Sequence, residues 1–300
     1  MENISVNKLT DSTNSSLPRD MKVALAKEVL AHENNIEIAK EKFSEIVRNL
    51  EQKKQREVIN ATGTVLHTNL GRSPNNLSFS GRYTNVEYDL KNFKRGVRNE
   101  YLSSSLSGLL GCEEVIFVNN NASSLYLSLR ALAKNYEFKN VIISRGEIIE
   151  IGGSYRLPEI IKETGLEMIE VGTTNKTNLD DYTTALEDFP NSIILKVHRS
   201  NYSISGFTEE VSIRELANIK EKYETVLIHD LGSGLVIDRK FLEINKIDIF
   251  NNETSVQNSL DEGSDLVMFS GDKLFGSVQS GIIAGKSRFV ENIREYSLFR

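Results

Sequence analysis

The sequence predicts an α/β domain with a mostly parallel sheet flanked by helices, preceded by an N-terminal helical segment. Short β-rich runs alternate with amphipathic stretches from Val115 onward, at the spacing of repeated strand–helix units. Hydrophobic content of 39% and charged content of 26% in 300 residues allow a large folded core. Before that region, residues 18–54 show helical rather than strand periodicity.

Residues 1–17 are polar and rich in Asn, Ser and Thr, and are expected to be a flexible tail. From Pro18 to Lys54 a single amphipathic helix is expected. Leu25, Val29, Ile36, Phe43 and Leu50, with His32, Ala39 and Ile46 between them, form one narrow apolar stripe. Such a stripe suits core packing against the same chain or a partner helix in a homo-oligomer. His32 is expected to pack on that stripe rather than to bind a ligand. These features divide the chain into an N-terminal part, 1–57, and an α/β large domain, 58–300.

Residues 59–74 follow neither period and carry two glycines, a proline and several side-chain donors, as an ordered loop over a site does. Arg72 in this loop offers a planar fork suited to phosphate or carboxylate. Lys91, Lys94, Arg95 and Arg98 gather next, and are read as a solvated loop. Strands are then expected at 115–118, 141–143, 168–171, 193–197, 226–229, 247–250 and 266–269. Helices are expected at 122–134, 155–164, 180–188, 212–223 and 255–262. In such a sheet, ligands collect at the carboxyl ends of the strands.

Several classes are excluded or disfavoured. A formal net charge of −6 argues against non-specific nucleic-acid binding over the whole surface. No apolar run approaches the length of a membrane span, and Met1-Glu2-Asn3-Ile4 lacks the features of a secretory signal. The single cysteine, Cys112, excludes an internal disulfide and a multi-cysteine metal site, and fits a reducing cytoplasm.

Three strand ends carry suitable chemistry. Asn119-Asn120-Asn121-Ala122 opens a helix whose free N–H groups make a phosphate cradle, or are simply capped. Asp230, before Leu231-Gly232-Ser233-Gly234, can keep a pyridine nitrogen protonated, or cap the next turn. Ser270-Gly271-Asp272-Lys273 follows the run Leu266-Val267-Met268-Phe269. A lysine buried there has a lowered pKa and supplies the free amine that attacks an aldehyde, with Ser270 donating to a phosphate. The order phosphate helix, aspartate, lysine points to pyridoxal 5'-phosphate (PLP), with Lys273 as its Schiff-base lysine.

The same residues carry a family resemblance. Ile59-Asn60-Ala61-Thr62-Gly63, His67-Thr68-Asn69-Leu70-Gly71-Arg72, Asn119-Asn120-Asn121-Ala122, Ser144-Arg145-Gly146-Glu147 and Glu150-Ile151-Gly152-Gly153-Ser154 fall in order. Val171-Gly172-Thr173-Thr174-Asn175, Gly206-Phe207-Thr208-Glu209-Glu210, Asp230-Leu231-Gly232-Ser233-Gly234 and Ser270-Gly271-Asp272-Lys273-Leu274 continue it. From about residue 58 to 300 the chain resembles bacterial selenocysteine synthase, L-seryl-tRNA(Sec) selenium transferase. The resemblance implies a fold-type-I PLP enzyme, a cytoplasmic homo-oligomer of dimers. It would make selenocysteinyl-tRNA(Sec) from seryl-tRNA(Sec) and selenophosphate through a dehydroalanyl intermediate. By this resemblance Lys273 corresponds to the PLP lysine and Asp230 to the partner of the pyridine nitrogen. Asn120, Asn121 and Ala122, with Ser270, correspond to the phosphate cup. Arg72 and Arg300 fall in family segments rich in arginine near the active site, and are expected there to hold selenophosphate.

The chain departs from the family pattern at His229, Arg199 and Ser277-Val278. Family members continue past the position of Arg300 into a small C-terminal domain, so the resemblance implies a fragment or a shortened relative. Two other readings stay open at this level: a PLP-dependent lyase or racemase acting on a small amino acid, and an inactive truncated homologue serving as an oligomeric scaffold.

Overall fold

A break at Glu33-Asn34-Asn35 divides the helix expected over 18–54. Glu33 is extended, and the Asn35 side chain accepts from the N–H groups of Glu37 and Ile38, which caps a new helix. In this computed structural model, which describes residues 5–78, 81–152, 155–237, 239–247 and 253–299, the chain forms two units, Met1–Ala61 and Thr62–Arg300.

The first unit holds α1 (Val6–Asp11), α2 (Arg19–His32) and α3 (Ile36–Gln52). The expected flexible tail is instead partly helical: the Ser5 hydroxyl caps α1, and Leu9 and Leu17 are buried. Leu9, Leu17, Ala26, Val29, Ala39, Phe43 and Val47 close on one another, so the apolar stripe is consumed within its own chain. His32 lies exposed at the end of α2 and is not a packed residue. Glu51 ties the link before α2 to α3 by accepting from the Ser15 hydroxyl and from the N–H and hydroxyl of Ser16.

The second unit opens with a long, exposed segment holding β1 (Tyr88–Asp89) and β2 (Lys94–Arg95). Arg95 and Arg98 both pair there with Glu87, and are not free cations. There follow α4 (Glu100–Leu110), β3 (Glu114–Val118), α5 (Asn121–Tyr136), β4 (Asn140–Ser144), the short strands β5 (Glu150–Ile151) and β6 (Tyr155–Arg156), α6 (Leu157–Glu163) and β7 (Glu167–Val171). The chain continues with α7 (Leu179–Asp188), β8 (Ser192–Val197), α8 (Ile213–Lys220), β9 (Val226–Gly232), α9 (Arg239–Ile244), α10 (Val256–Asp261), β10 (Leu266–Ser270), β11 (Gly281–Gly285) and α11 (Ser287–Glu295). The strand expected at 247–250 falls largely outside the described residues.

The main sheet has the order β3-β11-β10-β9-β8-β4-β7. Its β10-β9-β8-β4-β7 run is parallel, and β11 lies antiparallel between β10 and β3. Alternate residues face opposite layers, as a two-residue period requires. Val141, Ile143, Ile193, Leu195, Val226, Ile228 and Met268 pack under α5, α6 and α11, whereas Ile142, Ile194 and Leu227 pack under α7 and α8. Val267, Phe269, Ile282 and Ala284 are covered by α4 and α10. Both faces are therefore closed, and the sheet's chemistry is confined to the strand ends. The sequence reading did not place β11, because glycines bracket its Ile-Ile-Ala run. Gly281 is required there by packing: a Cβ on it would lie 2.2 Å from the Asn120 carbonyl oxygen.

Candidate active site

Four neighbouring chain segments meet at the carboxyl edge of the sheet. Asp230 sits in β9 with Val197 of β8 and Met268 of β10 as its lateral partners, which centres it in the parallel run. Across from it, β3 ends and α5 begins. The Asn120 side chain caps α5 by accepting from Ser123 N–H at 2.8 Å. The next residue, Asn121, directs its amide to Asp230 and donates to Oδ1 at 2.7 Å.

The lysine turn is fixed from several sides. Leu274 N–H donates to the Ser233 carbonyl at 2.9 Å, Gly271 N–H to the Ser280 carbonyl at 2.8 Å, and Ser73 N–H to the Asp272 carbonyl at 3.0 Å. The turn thus locks onto the one after Asp230 and onto the loop carrying Arg72. Gly232 has φ +64°, and Lys273 Nζ and Ser200 Oγ each come within 3.9 Å of the place its Cβ would occupy. The absence of a side chain there leaves room around the amine.

Charges converge on this amine. Burial pushes the Lys273 ammonium below the usual lysine range and the Arg72 cation adds to that, while Asp230, Asp272 and Glu253 oppose it. Burial raises the Asp230 carboxyl above the usual range, against the Asn121 hydrogen bond and the Lys273 charge. A carboxylate in that position is costly unless a cation meets it.

The structure brings Lys273, Asp230 and Asn121 together, and it places Asn120, Ala122 and Ser270 at the adjoining ends of α5 and β10. It also changes how some of them act. The Asn120 and Asn121 side chains are engaged in capping and in holding Asp230, so the α5 amino end offers backbone N–H groups to an anion rather than these amides. Ser270 is buried on β10 opposite Gly281. Arg72 does not stand as a free fork: its Nη1 donates to Asp272 Oδ2 at 2.9 Å, and the residue has φ +62°. Arg300, Gly153 and Ser154 lie outside the described residues. Cys112 is half-buried, with burial pushing its thiol up to about 11, which removes it as a nucleophile.

Several polar atoms here carry no role that the sequence indicated, although Asn121 itself was expected in the phosphate cup. Asp272 Oδ1, Asn121 Oδ1 and His67 Nδ1 are buried without a hydrogen-bond partner, and each is a polar atom awaiting one. Tyr155 is held well above its usual range, first by burial and then by the charge of Asp230. His198 Nε2 lies 3.2 Å from Glu253 Oε2, which also accepts from Ser233 Oγ at 2.7 Å. Asp272 was legible as the neighbour of Lys273 and His198 as a further strand end. Nothing in the sequence marks Glu253.

A half-buried lysine with a depressed pKa, a buried aspartate beside it and a helix amino end across from both, all at the carboxyl edge of a parallel sheet, are the arrangement of the fold-type-I PLP-dependent large domain. The donor set fits that cofactor: an amine for its aldehyde, an anion for its ring nitrogen and backbone N–H groups for its phosphate. Solved structures of this fold agree. D-glucosaminate-6-phosphate ammonia-lyase matches with a TM-score of 0.50 and 16% identity over 66% of this chain and 52% of that one. A putative L-allo-threonine aldolase from Listeria monocytogenes matches with 0.50 and 17% over 74% and 59%. At that identity they speak for the fold alone.

The chain belongs to the L-seryl-tRNA selenium transferase (SelA) family, whose model matches residues 58–300. The L-seryl-tRNA(Sec) selenium transferase of Sulfurimonas denitrificans is 40% identical over 95% of this chain and 66% of its own length. Those of Aliarcobacter butzleri and Campylobacter fetus are 44% and 39% identical, over 82% and 94% of this chain and 54% and 64% of theirs. The chain thus spans between half and two thirds of the length of these relatives. The cofactor is pyridoxal 5'-phosphate.

Proposed function

We propose that this chain carries the cofactor-binding part of an L-seryl-tRNA(Sec) selenium transferase, which replaces the hydroxyl of serine esterified to tRNA(Sec) with selenium from selenophosphate. The observation that supports it most is the facing of Lys273 and Asp230 across the β9 and β10 ends, in a chain 39–44% identical to proteins of that name.

Lys273 would hold the cofactor covalently, Asp230 its ring nitrogen, and Ser270 with the α5 backbone its phosphate. When bound, PLP supplies an electron sink for the pair left at the substrate Cα. Lys273 would take the Cα proton and later return it, a task eased by the burial that lowers its ammonium below the usual lysine range. Asp230 would face the ring nitrogen, with the Asn121 amide fixing the orientation of its carboxyl group. Arg72 positions the anionic donor with the N–H groups that Asp272 leaves unused.

Exposed apolar side chains also bear on the assembly. Val65, Tyr83, Phe93 and Tyr101 are 78%, 107%, 78% and 86% exposed. That much apolar surface in one segment supports a contact between copies of this chain, in a homo-oligomer built on dimers. Among the described residues no helix is long and apolar enough to cross a membrane. A charged-tRNA substrate fits a cytoplasmic location. The test is product formation from seryl-tRNA(Sec) and selenophosphate. Selenocysteinyl-tRNA(Sec) is expected, with no reaction of free L-serine, and efficient turnover of free serine or another small amino acid without tRNA would overturn the reading.

A further inference from the structure

Ser233 links three parts of the site. Its carbonyl takes the Leu274 N–H at 2.9 Å, and its hydroxyl donates to Glu253 Oε2 at 2.7 Å. The same carboxylate oxygen faces His198 Nε2, at the end of β8, at 3.2 Å. Glu253 precedes α10, and that segment is anchored beside the Asp230 turn by Val256 N–H donating to the Leu235 carbonyl at 2.8 Å. The ends of β8, β9 and β10 are thus joined through one carboxylate. Of the three anions facing Lys273, Asp272 is paired with Arg72 and Asp230 with Asn121. Glu253 is the third, and it is tied to no arginine or lysine within ion-pair distance among the described residues.

We propose that Glu253 is a positioning residue for Lys273, holding the lysine turn in register through Ser233 and placing one of the anions that face its amine. This rests on reading Lys273 as the reactive amine. The charges facing Lys273 are Arg72 from the loop before the sheet, Asp230 from β9, Asp272 from its own turn and Glu253 from before α10. Those facing Glu253 are His198 and Lys273. Burial alone would raise the Glu253 carboxyl, but the hydrogen bonds with His198 and Ser233 and the nearby charges prevail and lower it below the usual range. That anion stabilises the Lys273 ammonium. Its removal must therefore lower the pH at which the amine becomes free.

The experiment is a pH profile of Lys273 labelling by trinitrobenzenesulfonate in cofactor-free protein, quantified by peptide mapping, with the other lysines as internal references. Glu253→Gln keeps the shape and removes the charge. It should move the Lys273 midpoint down by about half to one pH unit, roughly a three- to tenfold gain in labelling on the acid side. Glu253→Asp keeps the charge and should restore most of the wild-type midpoint. Ser233→Ala breaks the strut and leaves the anion, so its midpoint should stay near wild type while cofactor uptake weakens. An unchanged midpoint in a folded Glu253→Gln protein overturns the inference, and so does a midpoint that moves equally in Glu253→Gln and Glu253→Asp. Should Glu253→Gln not fold, Glu253→Ala takes its place, with the same downward shift expected and an unchanged midpoint overturning the inference. Lys273 that labels normally but fails to bond PLP would sink the reading of the site instead, leaving this result intact.

Discussion

Buried carboxylates sit at both ends of the same strands, and they are treated differently. At the amino end of β9 and β10, Asp265 Oδ1 accepts from Lys220 at 2.8 Å and Lys286 at 2.7 Å, and Oδ2 accepts from Leu227 N–H at 2.9 Å. Both of its oxygens are satisfied within the chain. Around Lys273, Asp272 keeps one oxygen without a partner, Asn121 keeps its carbonyl oxygen bare, and Asp230 accepts from the Asn121 amide. A saturated carboxylate holds strands together, whereas an under-satisfied one waits for something to arrive. Glu147, also at the carboxyl edge, is saturated by Lys196 and the Val197 N–H, so the difference marks the surroundings of Lys273 rather than the whole edge.

Substitutions at the two ends should break different properties. Lys273→Ala is expected to abolish turnover and the covalent hold on PLP while melting near wild type, since the residue lies in a turn beyond β10. Asp265→Asn should do the reverse. It leaves Lys220 buried against a neutral group and is expected to cost about 3–5 kcal/mol in denaturant unfolding, with the folded fraction still binding PLP. Asp230→Asn keeps the contact with Asn121 and should slow exchange of the substrate Cα proton with solvent roughly a hundred- to a thousandfold, the scale of losing one preorganised charge. Wild-type exchange in that variant would remove the role given to Asp230.

Arg72→Ala sharpens the comparison further, with a smaller effect. Loss of one charge-assisted contact is worth about 1.5–3 kcal/mol, roughly ten- to a hundredfold in affinity for selenophosphate. The Asp272 contact adds a second consequence. Removing Arg72 takes a cation away from Lys273 and frees an anion beside it, and both changes favour the ammonium. The Lys273 amine should then be released only at higher pH, so PLP should attach more slowly near neutrality. Unchanged attachment with weakened selenophosphate binding would leave Arg72 a purely substrate-side residue.

Much of this was written in the sequence because the parallel strands are buried on both faces and have no polar side to confuse their pattern. Runs such as Ile193 to Val197 and Leu266 to Phe269 therefore stood out. The candidate site followed from strand-end chemistry at Asp230 and Lys273, which the fold sets side by side. What stayed hidden depends on contacts distant in sequence. The Arg72–Asp272 pair joins residues 200 positions apart, and its existence turns a predicted free fork into a paired one. The break before α3 rests on one asparagine cap within an otherwise continuous periodicity. Glu253 acquires meaning only when the folded chain sets it against Ser233 and His198.

The central claim is that Lys273 is the amine that holds the cofactor. Its most direct test is to load the purified protein with PLP, reduce with borohydride and map the modified peptide. Label confined to Lys273, lost in Lys273→Ala, is the predicted result. Label on another buried lysine, such as Lys196 or Lys220, or an adduct that survives in Lys273→Ala, would contradict it.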